Sequence, residues 1–98
     1  MDELEFYRDD SGNPCVRGDD ERVARFVESD LQGSVEVTES LLALLAGTAP
    51  AEFNGNAHSV TITPMLATIE CHFDDGPDRR LERQELATVV RAWLEFIR

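Results

Sequence analysis

The chain has 98 residues, and its 20 acidic and nine basic residues give a formal charge of −11 at pH 7. Every basic residue is an arginine. This composition argues against nonspecific binding to nucleic acid or to an anionic membrane, because both need a basic protein face. A basic protein partner fits the charge better. The alternative is that the charge only keeps a small protein soluble.

The length predicts a single domain over residues 1–98. We see no signal peptide and no apolar run of the roughly 18 residues that a membrane span needs. Cys15 and Cys71 are the two cysteines, and neither belongs to a CxxC motif or to a Cys/His cluster. We therefore expect a cytoplasmic protein with free thiols.

The first residues predict a hairpin and then a helix. Residues 4–8 alternate in polarity, residues 9–14 are rich in turn formers, and residues 15–17 would return as a second strand. The acidic run 19–21 is typical of a helix start and Gly33 of a helix end. The apolar residues between them recur at helical spacing and predict one buried stripe: Val23, Phe26, Val27 and Leu31.

Residues 34–46 predict a second helix that ends at Gly47, and residues 48–55 predict a polar loop. The stretch 56–73 then predicts a second hairpin, which reverses at Pro64-Met65. One face of this hairpin carries the side chains that helices would cover: Val60, Ile62, Ile69, Cys71 and Phe73.

Residues 82–98 carry the clearest helical pattern of the chain, after the turn residues 74–78. The apolar stripe of this helix contains Leu86, Val89, Val90, Trp93, Leu94 and Ile97. The predicted fold is therefore α+β in the order β-β-α-α-β-β-α. It has an antiparallel sheet of about four strands, formed by two hairpins, and three helices packed mainly on one face.

The opposite face of the second hairpin is predicted to remain uncovered and polar. Its side chains are Thr61, Thr63, Thr68, Glu70 and His72. We expect a partner to dock on this strip and on the adjacent acidic turn of Asp74 and Asp75. A further acidic candidate comprises Asp19, Asp20 and Glu21, although Asp is also common at helix starts.

The sequence predicts no catalytic, cofactor or metal site. Cys71 and His72 are neighbours in a strand and point to opposite faces, so they cannot easily bind one metal ion. Ser59 follows His58, but no G-x-S-x-G elbow surrounds this serine. No Gly-rich phosphate loop is present either. We therefore expect a protein that is not an enzyme.

The segment Glu5-Phe6-Tyr7-Arg8-Asp9, followed by Gly12-Asn13-Pro14, resembles the opening of the YacL-type family of small, acidic, uncharacterised bacterial proteins. Residues 55–63 (GNAHSVTIT) and 90–96 (VRAWLEF) are similar to the same group. They are also similar to small immunity proteins of bacterial toxin systems. The resemblance implies a cytoplasmic bacterial protein that binds another protein.

The leading hypothesis is a protein-binding module, an immunity or antitoxin protein that masks a basic toxin through its acidic surface. We expect it to be a monomer or a weak homodimer. The alternatives are a secretion-type chaperone, which holds its client through an apolar dimer or groove, and a housekeeping protein without catalytic activity. A further alternative is a small enzyme or a ligand-binding domain, which would need a binding pocket. A stable monomer in size-exclusion chromatography would argue against the chaperone.

Overall fold

The computed structural model describes residues 4–73 and 76–98. In chain order the elements are β1 (Leu4–Arg8), β2 (Pro14–Gly18), α1 (Glu21–Phe26), a π-helical segment (Val27–Leu31), α2 (Val35–Ala46), β3 (Ala51–Asn54), β4 (His58–Ile62), β5 (Leu66–Cys71), β6 (Arg79–Glu82) and α3 (Arg83–Ile97). The α+β class and the predicted order of hairpin, two helices, hairpin and helix are confirmed. None of the helices in the described ranges is long and apolar enough to cross a membrane.

The strands form two antiparallel sheets. β1 and β2 make a two-stranded sheet in which Phe6 lies opposite Val16. β3, β4, β5 and β6 make a four-stranded sheet in sequence order. The predicted antiparallel sheet of about four strands is therefore present. Its outer strands are β3 and β6, however, and the first hairpin forms a sheet of its own.

β3 falls within residues 48–55, which we predicted to be a polar loop, and for residues 51–54 that prediction was wrong. Only Ala51 and Phe53 of this strand are half-buried, and they alternate with exposed residues. Two inward side chains between Pro50 and Gly55 give too short a pattern to indicate a strand. Phe53 nevertheless packs edge-on against Phe26, with ring centroids 6.0 Å apart.

The helix predicted after the first hairpin is present, but α-helical geometry ends at Phe26 and the next five residues are π-helical. Its predicted apolar stripe is fully buried, as expected: Val23, Phe26, Val27 and Leu31. Gln32 follows with a positive φ of 51°. Its carbonyl accepts a hydrogen bond of 2.8 Å from Nε1 of Trp93.

α3 joins the N-terminal hairpin to the rest of the core. It begins at a capping box formed by Glu82 and Glu85. Trp93 is fully buried, and its ring meets that of Phe6 edge-on at 5.1 Å. The same tryptophan stacks on Phe96 at 5.7 Å. α2 packs along α3, so the two helices and the hairpin share one apolar core.

Arg83, the first residue of α3, connects three parts of the fold although it is only 5% exposed. Its guanidinium donates hydrogen bonds to the carbonyl oxygens of Leu44 at 2.7 Å and Leu45 at 3.1 Å, in the last turn of α2. It also donates to the carbonyl of Thr63 at 2.9 Å. A cation at this position satisfies carbonyls that have no helical partner and complements the negative end of the helix dipole.

The face of the second hairpin that we predicted to be buried is only partly so. Val60, Ile62 and Ile69 are at most 1% exposed, which confirms their assignment. Cys71 is half-buried. Phe73 is 83% exposed, so its placement on the buried face was wrong. β5 ends at Cys71, and the alternation of a strand therefore does not extend to Phe73.

Candidate protein-binding face

The four-stranded sheet has one buried face and one open face. The buried face includes Val60 and Ile69, which lie opposite each other and are fully buried. Because side chains alternate along a strand, their neighbours in sequence point the other way. On the open face, one row across the four strands consists of Glu52, Thr61, Thr68 and Arg80. Glu70, opposite Ser59, lies in the next row.

The structure brings the predicted polar strip together. Thr61, Thr68 and Glu70 lie on the open face of β4 and β5, with Thr68 half-buried and the other two exposed. Thr63 and His72 are exposed and directly follow these two strands. The Thr63 hydroxyl has a local role, because it accepts a 3.1 Å hydrogen bond from the backbone N–H of Leu66 in the turn.

Three side chains of this strip have unused hydrogen-bonding groups. Within residues 4–73 and 76–98, the hydroxyls of Thr61 and Thr68 and the carboxylate of Glu70 make no hydrogen bond to protein. Solvent satisfies these groups in the free protein. A docked partner can therefore bond to them without breaking a contact that holds the fold together.

Large apolar side chains are exposed at both ends of β5. Met65 is 76% exposed and Leu66 is 37% exposed at the start of the strand, and Phe73 follows its end. By register, Leu66 lies opposite Glu82 and on the same face as Thr68. This exposure was not predicted from the sequence, because the alternation pattern placed Phe73 in the core and Met65 only in a turn.

Of the three acidic residues at the start of α1, two are exposed and one is buried. Asp19 and Glu21 are exposed, as a partner surface requires. Asp20 is only 7% exposed, so its assignment to that surface was wrong. One carboxylate oxygen of Asp20 accepts from the backbone N–H of Val23 at 3.3 Å, and the other pairs with Nε of Arg79 at 2.8 Å. Asp20 thus caps α1 and ties it to β6. Asp74 and Asp75 lie outside the described residues.

Asp9 is another acid with a local structural role. Its carboxylate accepts hydrogen bonds of 2.9 Å from the backbone N–H groups of Ser11 and Asn13 in the β1–β2 turn. The Asn13 backbone N–H is the main cause that holds the pKa of Asp9 below its ordinary value. This carboxylate stabilises the hairpin turn.

A buried ionisable pair, which was not predicted from the sequence, lies between the helices and the sheet. Nδ1 of His58 is 3.0 Å from Oδ1 of Asp30, and their side chains are 4% and 0% exposed. Oδ2 of Asp30 accepts from the backbone N–H of His58 at 2.9 Å and of Ala57 at 3.1 Å. The only sequence signal was Asp30 beside Leu31 in the apolar stripe. It did not indicate a partner 28 residues away.

The geometry of this pair fits a structural role. The Ser29 hydroxyl donates to Asp30 at 2.5 Å, and the remaining imidazole nitrogen, Nε2 of His58, has no partner among the described residues and is buried. A catalytic serine would instead donate to the histidine, at a site open to substrate. The Asp30 carboxylate therefore acts as an internal hydrogen-bond acceptor that joins the π-helical segment to β4.

A shallow groove of about 230 Å³ lies between β2 and α1, and its wall includes Glu21, Arg25 and Glu28 but no His or Cys. Within the described ranges, no group of three or more His, Cys, Asp or Glu side chains could hold a metal ion. That the protein binds no metal or cofactor stays a prediction.

No protein-family model matches the chain, and no curated protein or solved structure is significantly similar to it.

Proposed function

We propose that this protein is a protein-binding module for a basic partner, and that it neutralises a toxin domain in the manner of an immunity or antitoxin protein. The observation that carries the proposal is the charge of −11 on a chain of 98 residues. Many of the carboxylates are exposed and have no protein partner among the described residues: Asp10, Asp19, Glu36, Glu39, Glu70, Asp78 and Glu95.

Such a charge acts at two stages of binding. At long range it steers a basic partner towards the protein and raises the association rate, an effect that falls steeply as salt screens the charges. At contact, exposed carboxylates pair with the Lys and Arg side chains of the partner. Neutralisation of this kind is stoichiometric and needs no catalytic group in the binding protein. It takes place in the cytoplasm, where the thiols of Cys15 and Cys71 remain free.

The proposal is tested by affinity purification from the native host with the tagged protein as bait. The retained protein is identified, purified alone and titrated with the bait by calorimetry at about 50 mM and about 300 mM salt. We expect a partner of net positive charge whose Kd rises about tenfold or more between the two salt concentrations. Expression of the partner alone should slow growth, and co-expression of this protein should restore it.

A retained partner of net negative charge, or a Kd that does not depend on salt, would contradict the proposal that charge drives binding. A basic partner whose expression has no effect on growth would contradict the immunity class but not the binding of a basic protein.

A further inference from the structure

The structure assigns the docking site to the open face of the four-stranded sheet, and the partner that fits it is a basic protein surface with apolar side chains at both ends of its footprint. This inference rests on the proposed function, because it specifies where a basic partner binds. Three properties of the face support it: its free polar groups, its exposed apolar ends and its size.

The acidic groups of the face are placed to receive cations. Glu52 and Glu70 lie in adjacent rows, and both side chains are exposed. Thr61 and Thr68 lie opposite each other on β4 and β5, in the same row as Glu52. Arg80 is the one basic side chain in these rows, at the edge formed by β6. A partner with Lys or Arg opposite β3, β4 and β5 therefore meets complementary charge over most of the face.

The exposed apolar side chains provide hydrophobic contacts, which add affinity that charge alone does not supply. Interfaces draw most of their affinity from a few large side chains that lose contact with water, and Phe and Met are enriched among interface residues. Leu66 offers such a side chain on the open face itself, and Met65 and Phe73 are exposed just beyond the two ends of β5. The acidic outer surface of α2, with Glu36, Glu39, Ser40 and Ala43, has no comparable side chain.

The dimensions of the face suit a protein rather than a small ligand. β5 has six residues, about 20 Å at roughly 3.3 Å per residue, and the other three strands have four or five. With strands spaced about 4.8 Å apart, the sheet face covers about 300 Å². A standard interface buries about 800 Å² on each partner. The open face therefore supplies about two fifths of that area, and the exposed side chains at the ends of β5 extend it.

The test uses a blocked synthetic peptide of eleven residues, with Leu at the first and last positions, Lys at the third, fifth, seventh and ninth, and Thr at the even positions, so that Lys and Leu share one face of the extended peptide. It is titrated into the ¹⁵N-labelled full chain, and amide chemical shifts give both the site and the Kd. A peptide with Glu in place of every Lys is the charge control. We expect the largest shifts at Thr61, Thr68, Glu70 and Phe73, with the Lys peptide only.

Two charge reversals of equal size locate the site. Glu70→Lys, on the open face, should raise the Kd of the Lys peptide about five- to tenfold, because it replaces an attraction with a repulsion. Glu39→Lys, on α2, should raise it less than twofold. Glu70→Gln keeps the shape of the side chain and should give an intermediate value, which guards against misfolding of the reversed variant.

The outcomes separate this inference from the proposed function. Largest shifts on α2, or equal weakening by the two reversals, would overturn the assignment to the sheet while basic binding stands. Shifts of equal size with the Lys and Glu peptides would overturn both, because binding would not depend on charge. The absence of shifts with either peptide would also count against both.

Discussion

His58 and Asp30 form a buried hydrogen bond of 3.0 Å that joins β4 to the π-helical segment. The same carboxylate accepts the backbone N–H groups of Ala57 and His58, so it fixes the chain at the point where β4 begins. β4 is a central strand of the sheet whose open face we assign to the partner. The geometry of that face therefore depends on a contact made on the opposite, buried side.

Asp30→Ala should lower the free energy of unfolding by about 3 kcal/mol, because it leaves the buried backbone N–H of His58, the part-buried N–H of Ala57 and the imidazole without their acceptor. Urea unfolding followed by circular dichroism measures the loss. Asp10→Ala is the matched control, since Asp10 is exposed and has no protein partner among the described residues, and it should change stability by less than about 0.5 kcal/mol. Equal unfolding midpoints for the two variants would refute the role of Asp30.

Gly55 is required for this contact. A Cβ atom at residue 55 would lie 2.1 Å from Oδ2 and 2.9 Å from Cβ of Asp30. Gly55→Ala should therefore destabilise the fold by about 2 kcal/mol or more, because the carboxylate of Asp30 can move away only by giving up its hydrogen bonds to Ala57 and His58. Gly47→Ala is the control, because a Cβ atom there meets nothing closer than 3.7 Å. Thermal unfolding should show a lower Tm for the first variant only.

Arg83→Met should cost about 2 to 4 kcal/mol of stability, because the carbonyls of Leu44, Leu45 and Thr63 lose a charged donor in a buried site. Arg91→Met removes the same charge from an exposed position of α3 and should have little effect. Chemical unfolding of both variants is the measurement. If Arg83→Met unfolds at the same urea concentration as Arg91→Met, the guanidinium does not join α2 and α3.

Cys15 should be a slow nucleophile at neutral pH. Burial is the largest cause that raises the pKa of its thiol, and the carboxylates of Glu28 and Asp9 raise this pKa further. A raised pKa means that the folded state holds the proton to higher pH than the unfolded state does. In a Cys71→Ser background, the pH midpoint of alkylation should therefore be higher for folded than for urea-unfolded protein.

Two charge-removing variants test the cause of this shift. Glu28→Gln removes a carboxylate that raises the thiol pKa, so it should lower the alkylation midpoint of the folded protein. Asp10→Asn removes the same charge from a residue that does not raise it and should leave the midpoint unchanged. A midpoint that is the same in the folded and the unfolded protein would contradict the raised pKa.

The fold class was predictable because the apolar residues repeat at regular spacing over long segments. The stripes of α1 and α3 and the buried residues Val60, Ile62 and Ile69 follow directly from periods of 3.6 and 2. β3 was missed because two inward side chains do not establish a period. The change to π-helical geometry after Phe26 leaves no mark in the spacing, because the stripe continues through Leu31.

The candidate face was predictable in part. Alternation in β4 and β5 placed Thr61, Thr68 and Glu70 on one side, and the structure has them there. Asp20 was misassigned because its burial depends on what lies across from it, which is fixed by tertiary packing. Phe73 was misassigned because β5 ends at Cys71, before the alternation reaches it. The Asp20–Arg79 contact spans 59 residues, and no local pattern encodes it.

The most direct test of the central claim is the Kd of the partner recovered from the host, measured by calorimetry for three proteins. These are the natural chain, Glu70→Lys and Glu39→Lys, which have identical charge changes on different surfaces. We predict that Glu70→Lys weakens binding by about tenfold or more and Glu39→Lys by less than about threefold. Equal affinities for the natural chain and Glu70→Lys would contradict the assignment of the open sheet face as the binding site.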